Sequence, residues 1–203
     1  MKLLIATTNP HKVREIGEVL RPLGIDVCGL ADVAPDLPEP VEDAETFEGN
    51  ARIKAMAYAR ALQVPCLADD SGLEVDALGG APGVHSARYA GVGKTREERD
   101  RANNQKLIGE LHRLGDVDRG ARFVCALCLV DAKGGVLFEA RGTFPGQITD
   151  EARGENGFGY DPHLFLPDVG KTSAELSSEA KNARSHRGAA TRALHAWLAK
   201  NPL

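Results

Sequence analysis

The chain has 203 residues, 42% hydrophobic and 27% charged, enough to bury the core of one domain and too apolar for a disordered segment. Its formal charge of −4 excludes the basic surface of a protein that coats nucleic acid, but leaves room for a local basic pocket that takes a phosphorylated small molecule. No apolar stretch approaches the roughly 20 residues of a membrane span. The N-terminal apolar run stops after about five residues at Thr7-Thr8-Asn9-Pro10, too short for the core of a signal peptide.

Leu3 to Thr7 therefore reads as a buried first strand, and Asn9-Pro10 as a helix start, with Asn as N-cap and Pro at the first helical position. Val13, Ile16, Val19, Leu20 and Leu23 follow at helical spacing until Pro22 stops the helix. Lys12 falls in the first turn, where a cation opposes the helix dipole; alone it reads first as a solvated lysine, and its misplacement hints at an anion facing it. Residues 35–45 form an acidic, proline-rich loop. Phe47, Ala51, Ala55, Ala59 and Leu62 then mark one face of a second helix.

Val64, Cys66 and Leu67, broken by Pro65, lead into Ala68-Asp69-Asp70-Ser71-Gly72-Leu73-Glu74-Val75. Ser-Gly is a turn signal, so the acid pair is expected at a strand's end. Adjacent carboxylates repel, and ionising both needs a compensating cation, metal or basic ligand. Alone, the pair also fits a solvated turn. Glu42 from the acidic loop could join it, giving oxygen ligands suited to magnesium.

The glycine-dense segment 77–91 permits tight turns or a close approach to a ligand, and the mixed charges of 94–101 suit a solvated helix face. Cys125 and Cys128 lie three apart in an apolar strand, 123–130, where they face opposite sides, so they are core thiols rather than a metal clamp. That usage points to the cytoplasm. Asp131 to Gly135 signals a hairpin into Val136–Arg141. Gly154 to Pro162 carries Phe158 and Tyr160 on a flexible backbone, either as a base-stacking platform or as anchors on the core. Ser185 caps a last helix with an apolar face of Ala190, Ala193, Leu194, Trp197 and Leu198. His186 and Arg187 stand in its first turn with Lys181 nearby, which suggests an anionic or carbonyl-bearing ligand. His195 reads as a surface residue. Strands alternate with helices early and cluster later, which gives an α/β class with α+β character and a mixed sheet.

Five ordered motifs carry a resemblance. Ala6-Thr7-Thr8-Asn9-Pro10-His11-Lys12, Ala68-Asp69-Asp70-Ser71-Gly72-Leu73, Leu78-Gly79-Gly80-Ala81-Pro82-Gly83, Phe158-Gly159-Tyr160-Asp161-Pro162 and Ser185-His186-Arg187-Gly188 together resemble the inosine/xanthosine triphosphate pyrophosphatase family, nearly end to end. The resemblance implies one two-lobed domain over residues 1–203. Its fold would be a long mixed central sheet with two α/β lobes flanking a substrate cleft, in a cytoplasmic homodimer with no membrane or nucleic-acid partner. It implies magnesium-dependent hydrolysis of noncanonical purine triphosphates (dITP, ITP, XTP) to the monophosphate and pyrophosphate.

By position, Thr7, Thr8, Asn9, Pro10, His11 and Lys12 match the triphosphate-binding turn. Asp70 matches the catalytic carboxylate and metal ligand, with Asp69 beside it and Glu42 as the acidic-loop ligand. Ser71 matches a substrate contact. Phe158, Gly159, Tyr160, Asp161, Lys181, His186 and Arg187 match nucleotide-binding positions, with Arg187 or a nearby backbone N–H as donor to the purine 6-oxygen. Two positions depart from the family pattern. Gly49 stands where a Glu is usual, leaving Glu48 or Glu45 to replace it, and Thr8 stands where Gly is common. Two other readings remain: a Maf-like pyrophosphatase acting on dTTP or UTP, and a nucleotide sensor without catalysis. A sensor has no need of paired carboxylates.

Overall fold

The computed structural model describes residues 2–203. Among them, seven strands form one mixed sheet in the order β2-β1-β3-β4-β5-β6-β7, namely β1 Lys2–Ile5, β2 Asp26–Gly29, β3 Cys66–Val75, β4 Gly120–Val130, β5 Val136–Ile148, β6 Leu164–Leu166 and β7 Lys171–Thr172. The helices are α1 Pro10–Leu20, α2 Leu30–Val33, α3 Phe47–Leu62, α4 Arg96–Leu114, α5 Ser178–Arg184 and α6 His186–Leu198, with short 3₁₀ turns among them. The expected α/β class is what folds. No helix among the described residues is long and apolar enough to cross a membrane.

The chain divides into two compact units. The first takes the chain up to Asp70 with Cys125–Gly142 and Ser185–Leu203; the second takes Ser71–Val124 and Thr143–Arg184. In the first unit β1 pairs in parallel with β2 and with β3, as a strand–helix–strand alternation requires. Its core joins Leu3, Ile5 and Leu67 of the strands to Ile16 and Leu20 of α1 and to Ala190, Leu194 and Leu198 of α6. In the second unit β6 pairs antiparallel with β5 and β7, and Leu73, Phe123, Phe144, Leu107 and Leu111 anchor a separate core.

Local signals place most boundaries. Asn9 caps α1 by accepting from the His11 N–H, Pro22 sits in a 3₁₀ turn just past the helix end, and Ser185 caps α6 by accepting from the Gly188 N–H. Residues 131–135 close a tight connection between β4 and β5, with the Asp131 N–H donating to Gly135 O. All four cysteines are free and buried. On α6, Ala193 is exposed while Ala190, Leu194 and Leu198 are buried, so the apolar face is narrower than its spacing suggested.

One boundary differs from expectation. Ser71-Gly72 makes no turn; β3 runs on to Val75. A Cβ at Gly72 would lie 2.3 Å from Ser86 Oγ and 2.7 Å from Gly83 O, so glycine is demanded there by a close crossing of the 83–88 turn. The Ser86 hydroxyl, accepting from the Leu73 N–H and donating to Gly83 O, fixes that crossing.

Candidate active site

Successive strand residues point to opposite faces, so Asp69 and Asp70 of β3 meet different surroundings. Asp69 is fully buried and locked from two sides. Lys12 Nζ lies 3.0 Å from Oδ1, and Arg187 donates to Oδ2 through Nε at 3.2 Å and Nη2 at 3.1 Å. Burial alone would raise the Asp69 pKa, but the charges of Lys12, Arg187 and Lys54 outweigh it and hold the carboxyl well below the usual range. Arg187 is itself buried and also pairs with Glu15, which stands three residues after Lys12 on α1. Lys12 thus faces the Asp69 carboxylate and is not the solvated lysine that its position alone favoured.

Asp70 is buried too, with the opposite result. Burial raises its pKa, and the nearby Lys54 and Lys12 do not cancel that rise. Lys54 Nζ bridges two carboxylates, 2.9 Å from Asp70 Oδ1 and 3.0 Å from Glu42 Oε2. Asn50 Nδ2 approaches Asp70 Oδ2 at 3.4 Å. Both come from α3, four residues apart and so on one face. The acidic loop does bring Glu42 to the acid pair. Among the described residues, no three His, Cys, Asp or Glu side chains group as a metal cluster. The oxygen donors here are two carboxylates around one cation, a set that fits magnesium completing its shell with phosphate oxygens and water.

At the Gly49 departure, Glu48 turns to Arg141 (Nη1 to Oε1, 2.8 Å) and does not join Asp70. A Cβ at Gly49 would meet Ala44 Cβ at 2.5 Å, so this backbone has no room for the usual Glu. Asn50, the next residue, is the one that reaches the acid.

The turn from Thr7 to Lys12 is tied by its own side chains. Thr7 Oγ1 accepts from the Asn9 N–H and Asn9 Oδ1 from the His11 N–H, at 3.1 and 3.0 Å. The His11 N–H is therefore already taken by the cap. Thr7, Thr8 and Pro10 line a hollow of about 230 Å³ with Arg14 and Asp32.

In the second unit, Asp161 is the hub. It accepts from the Phe158 N–H at 2.8 Å, from Lys181 Nζ at 2.6 Å and from Ser173 Oγ at 2.7 Å. Phe158 stays half-buried, and Lys181 Nζ lies 5.3 Å from its ring centroid. Tyr160 divides from it: its hydroxyl donates to Ser86 O and its ring is buried in the core. Of the two aromatics, Tyr160 is the anchor. Ser71 is half-buried in this unit.

Arg187, read as one possible donor to the purine beside a backbone N–H, is engaged inside the first unit on Asp69 and Glu15. His186 is buried in the first turn of α6. Three residues went unread in the sequence: Lys54, Asn50 and Glu15. The i,i+4 pair Asn50/Lys54 beside the apolar face of α3, and the i,i+3 pair Lys12/Glu15, were the signals available.

In this mixed α/β chain, a split acid pair ringed by lysine and arginine has charges of the kind that handle phosphate. The model of the Ham1 family matches residues 3–197, and the chain belongs to that family. It is 52% identical over 198 residues to a dITP/XTP pyrophosphatase of an Exiguobacterium species, covering 98% of this chain and 97% of the relative. It is 48% identical to a dITP/XTP pyrophosphatase of Thermus thermophilus, covering 96% and 90%. A Ham1 protein structure from Coxiella burnetii superposes with a TM-score of 0.88 at 39% identity, covering 98% of this chain and 99% of that one.

Proposed function

We propose that the chain is a nucleoside triphosphate pyrophosphatase that hydrolyses dITP, ITP and XTP to the monophosphate and pyrophosphate. The observation that carries this is the division of labour in the acid pair: Asp69 held ionised by Lys12 and Arg187, Asp70 left with a raised proton affinity. Family membership and the close relatives supply the substrate class.

In this reading Asp70 positions the attacking water and takes its proton as the oxygen closes on the α-phosphorus. Lys12 swings from Asp69 to the leaving pyrophosphate, where its charge is worth most in a dry site. Three cations, Lys12, Lys54 and Arg187, face four carboxylates, Glu15, Glu42, Asp69 and Asp70. An ensemble of that charge accepts a triphosphate only together with a cation. Glu42 and Asp70 would hold magnesium, with Lys54 moving onto the phosphates; the metal would neutralise phosphate charge and acidify a water. Thr7, Thr8, Asn9, Pro10 and His11 border the triphosphate, and Ser71 contacts the substrate. Phe158 stacks on the base, with Gly159, Tyr160, Asp161, Lys181 and His186 shaping its surroundings. Arg187 serves by fixing Asp69. We further propose a single two-lobed enzyme working as a cytoplasmic homodimer; buried free thiols suit a reducing compartment.

The test is release of pyrophosphate and monophosphate from dITP, XTP, dGTP, dATP and dTTP with magnesium, for the wild type and Asp70→Asn. Fast turnover of dITP and XTP, lost in the variant and on chelation, is expected. Preference for dTTP would move the chain to a Maf-like activity, and tight dITP binding without turnover would make it a sensor.

A further inference from the structure

The charged N-terminal half of α4, expected as a solvated face, grips the loop that carries Phe158. Arg96, Asp100 and Asn104 lie four residues apart, in one row along the helix. Asn104 Nδ2 donates to Gly159 O at 2.9 Å, and the Gly159 N–H donates to Asp100 Oδ2 at 2.9 Å. Gly159 adopts φ +63°, a left-handed conformation that turns both its backbone groups onto α4. At the head of the row, the Arg96 guanidinium lies 4.4 Å from the Phe158 ring centroid, and its Nε lies 3.9 Å from the same Asp100 oxygen.

Two cations therefore attend the Phe158 ring, and they differ in burial. Lys181 is buried and held by Asp161. The Arg96 side chain is a third exposed, and its tie to Asp100 is long. A guanidinium is planar, weakly hydrated and stacks on aromatic faces, so on this ring it occupies the kind of place a flat base takes. Asp100 and Asp161 offset the charges of Arg96 and Lys181, which leaves stacking rather than net charge as the attraction.

We propose that Arg96 is a base-binding residue: a purine takes the guanidinium's place on the Phe158 ring, and the guanidinium stacks on the outer face of the base. The proposal rests on the reading of Phe158 as the base platform. Asp100, fixed by the Gly159 N–H, keeps the arginine within reach once the base has entered. The row on α4 thus sets the loop and supplies the second layer of the stack.

The test is steady-state kinetics with dITP on Arg96→Ala, Arg96→Lys, Arg96→Trp and Phe158→Ala, with the thermal midpoint of each measured alongside. Arg96→Ala raises KM about fivefold at unchanged kcat, the size expected for a partly exposed cation–π stack. Arg96→Lys matches Arg96→Ala, because it keeps the charge and loses the plane, whereas Arg96→Trp restores a KM near that of the wild type. An unchanged or lowered KM in Arg96→Ala, or full rescue by lysine, would overturn the proposal. Phe158→Ala separates the two readings. If it leaves KM unchanged, the platform itself is wrong; if it raises KM while Arg96→Ala does not, only the role of Arg96 falls.

Discussion

Asp69 and Asp70 are the same residue type at consecutive positions, yet their proton affinities move in opposite directions. The cause is the strand: one side chain meets Lys12 and Arg187, the other meets Lys54 among carboxylates. The two should separate in experiment. Asp69→Asn leaves the buried Arg187 and the half-buried Lys12 without their main counter-charge, and breaking such a pair costs about 3 kcal/mol. Its urea midpoint should fall accordingly. Asp70→Asn removes a carboxylate whose ionisation the fold opposes, so that variant should be inactive yet no less stable than the wild type at neutral pH. If Asp70→Asn unfolded as easily as Asp69→Asn, Asp70 would be a structural counter-ion. The need for compensating cations was legible in the bare sequence; their identities were not. Arg187 is 118 residues from Asp69, and no local pattern links them.

At the scale of elements, signals confined to a few residues were read correctly, and those set by distant neighbours were misread. The caps Asn9 and Ser185 and the stop at Pro22 depend only on adjacent backbone. Ser71-Gly72 carries the composition of a turn, but its glycine answers to Ser86 and Gly83, more than ten residues away. Gly142 of β5 is a similar position that sequence reading passed over. A Cβ there would lie 2.1 Å from His186 O and 2.9 Å from Ala190 N, both backbone atoms of α6. Gly142→Ala must therefore push the first turn of α6, which carries Arg187, away from the strand. A loss of about 2 kcal/mol is expected from overpacking, seen as a lowered urea midpoint. A fall in kcat should accompany it as Arg187 shifts on Asp69. Wild-type kcat in this variant would show that the Arg187 contact tolerates movement of its helix.

Across the whole molecule, the fold class and the residue types of the site were legible because hydrophobic period and motif chemistry are local properties. The residues that went unread, Lys54, Asn50 and Glu15, owe their places to partners brought near by folding. The same long-range pairing governs acid stability. Asp69 has a depressed folded pKa, so its contribution is complete above its unfolded value of about 3.9 and is lost as pH falls below it. Asp150, bonded by His112, Asp168, bonded by Arg184, and Glu175, bonded by the Thr172 N–H, act in the same direction, weakly because solvent reaches all three. Asp70 acts in reverse. Its folded pKa is raised, so the native state binds that proton more readily than the unfolded chain, and stability declines as pH rises through the folded value. Urea midpoints measured from about pH 3 to 8 should therefore show a steep acid loss below about pH 4 and a shallow decline on its neutral side. Asp70→Asn should keep the acid loss and abolish the shallow decline. If the two profiles superimpose above about pH 4, burial does not raise the proton affinity of Asp70, and its assignment as the proton acceptor loses its electrostatic support.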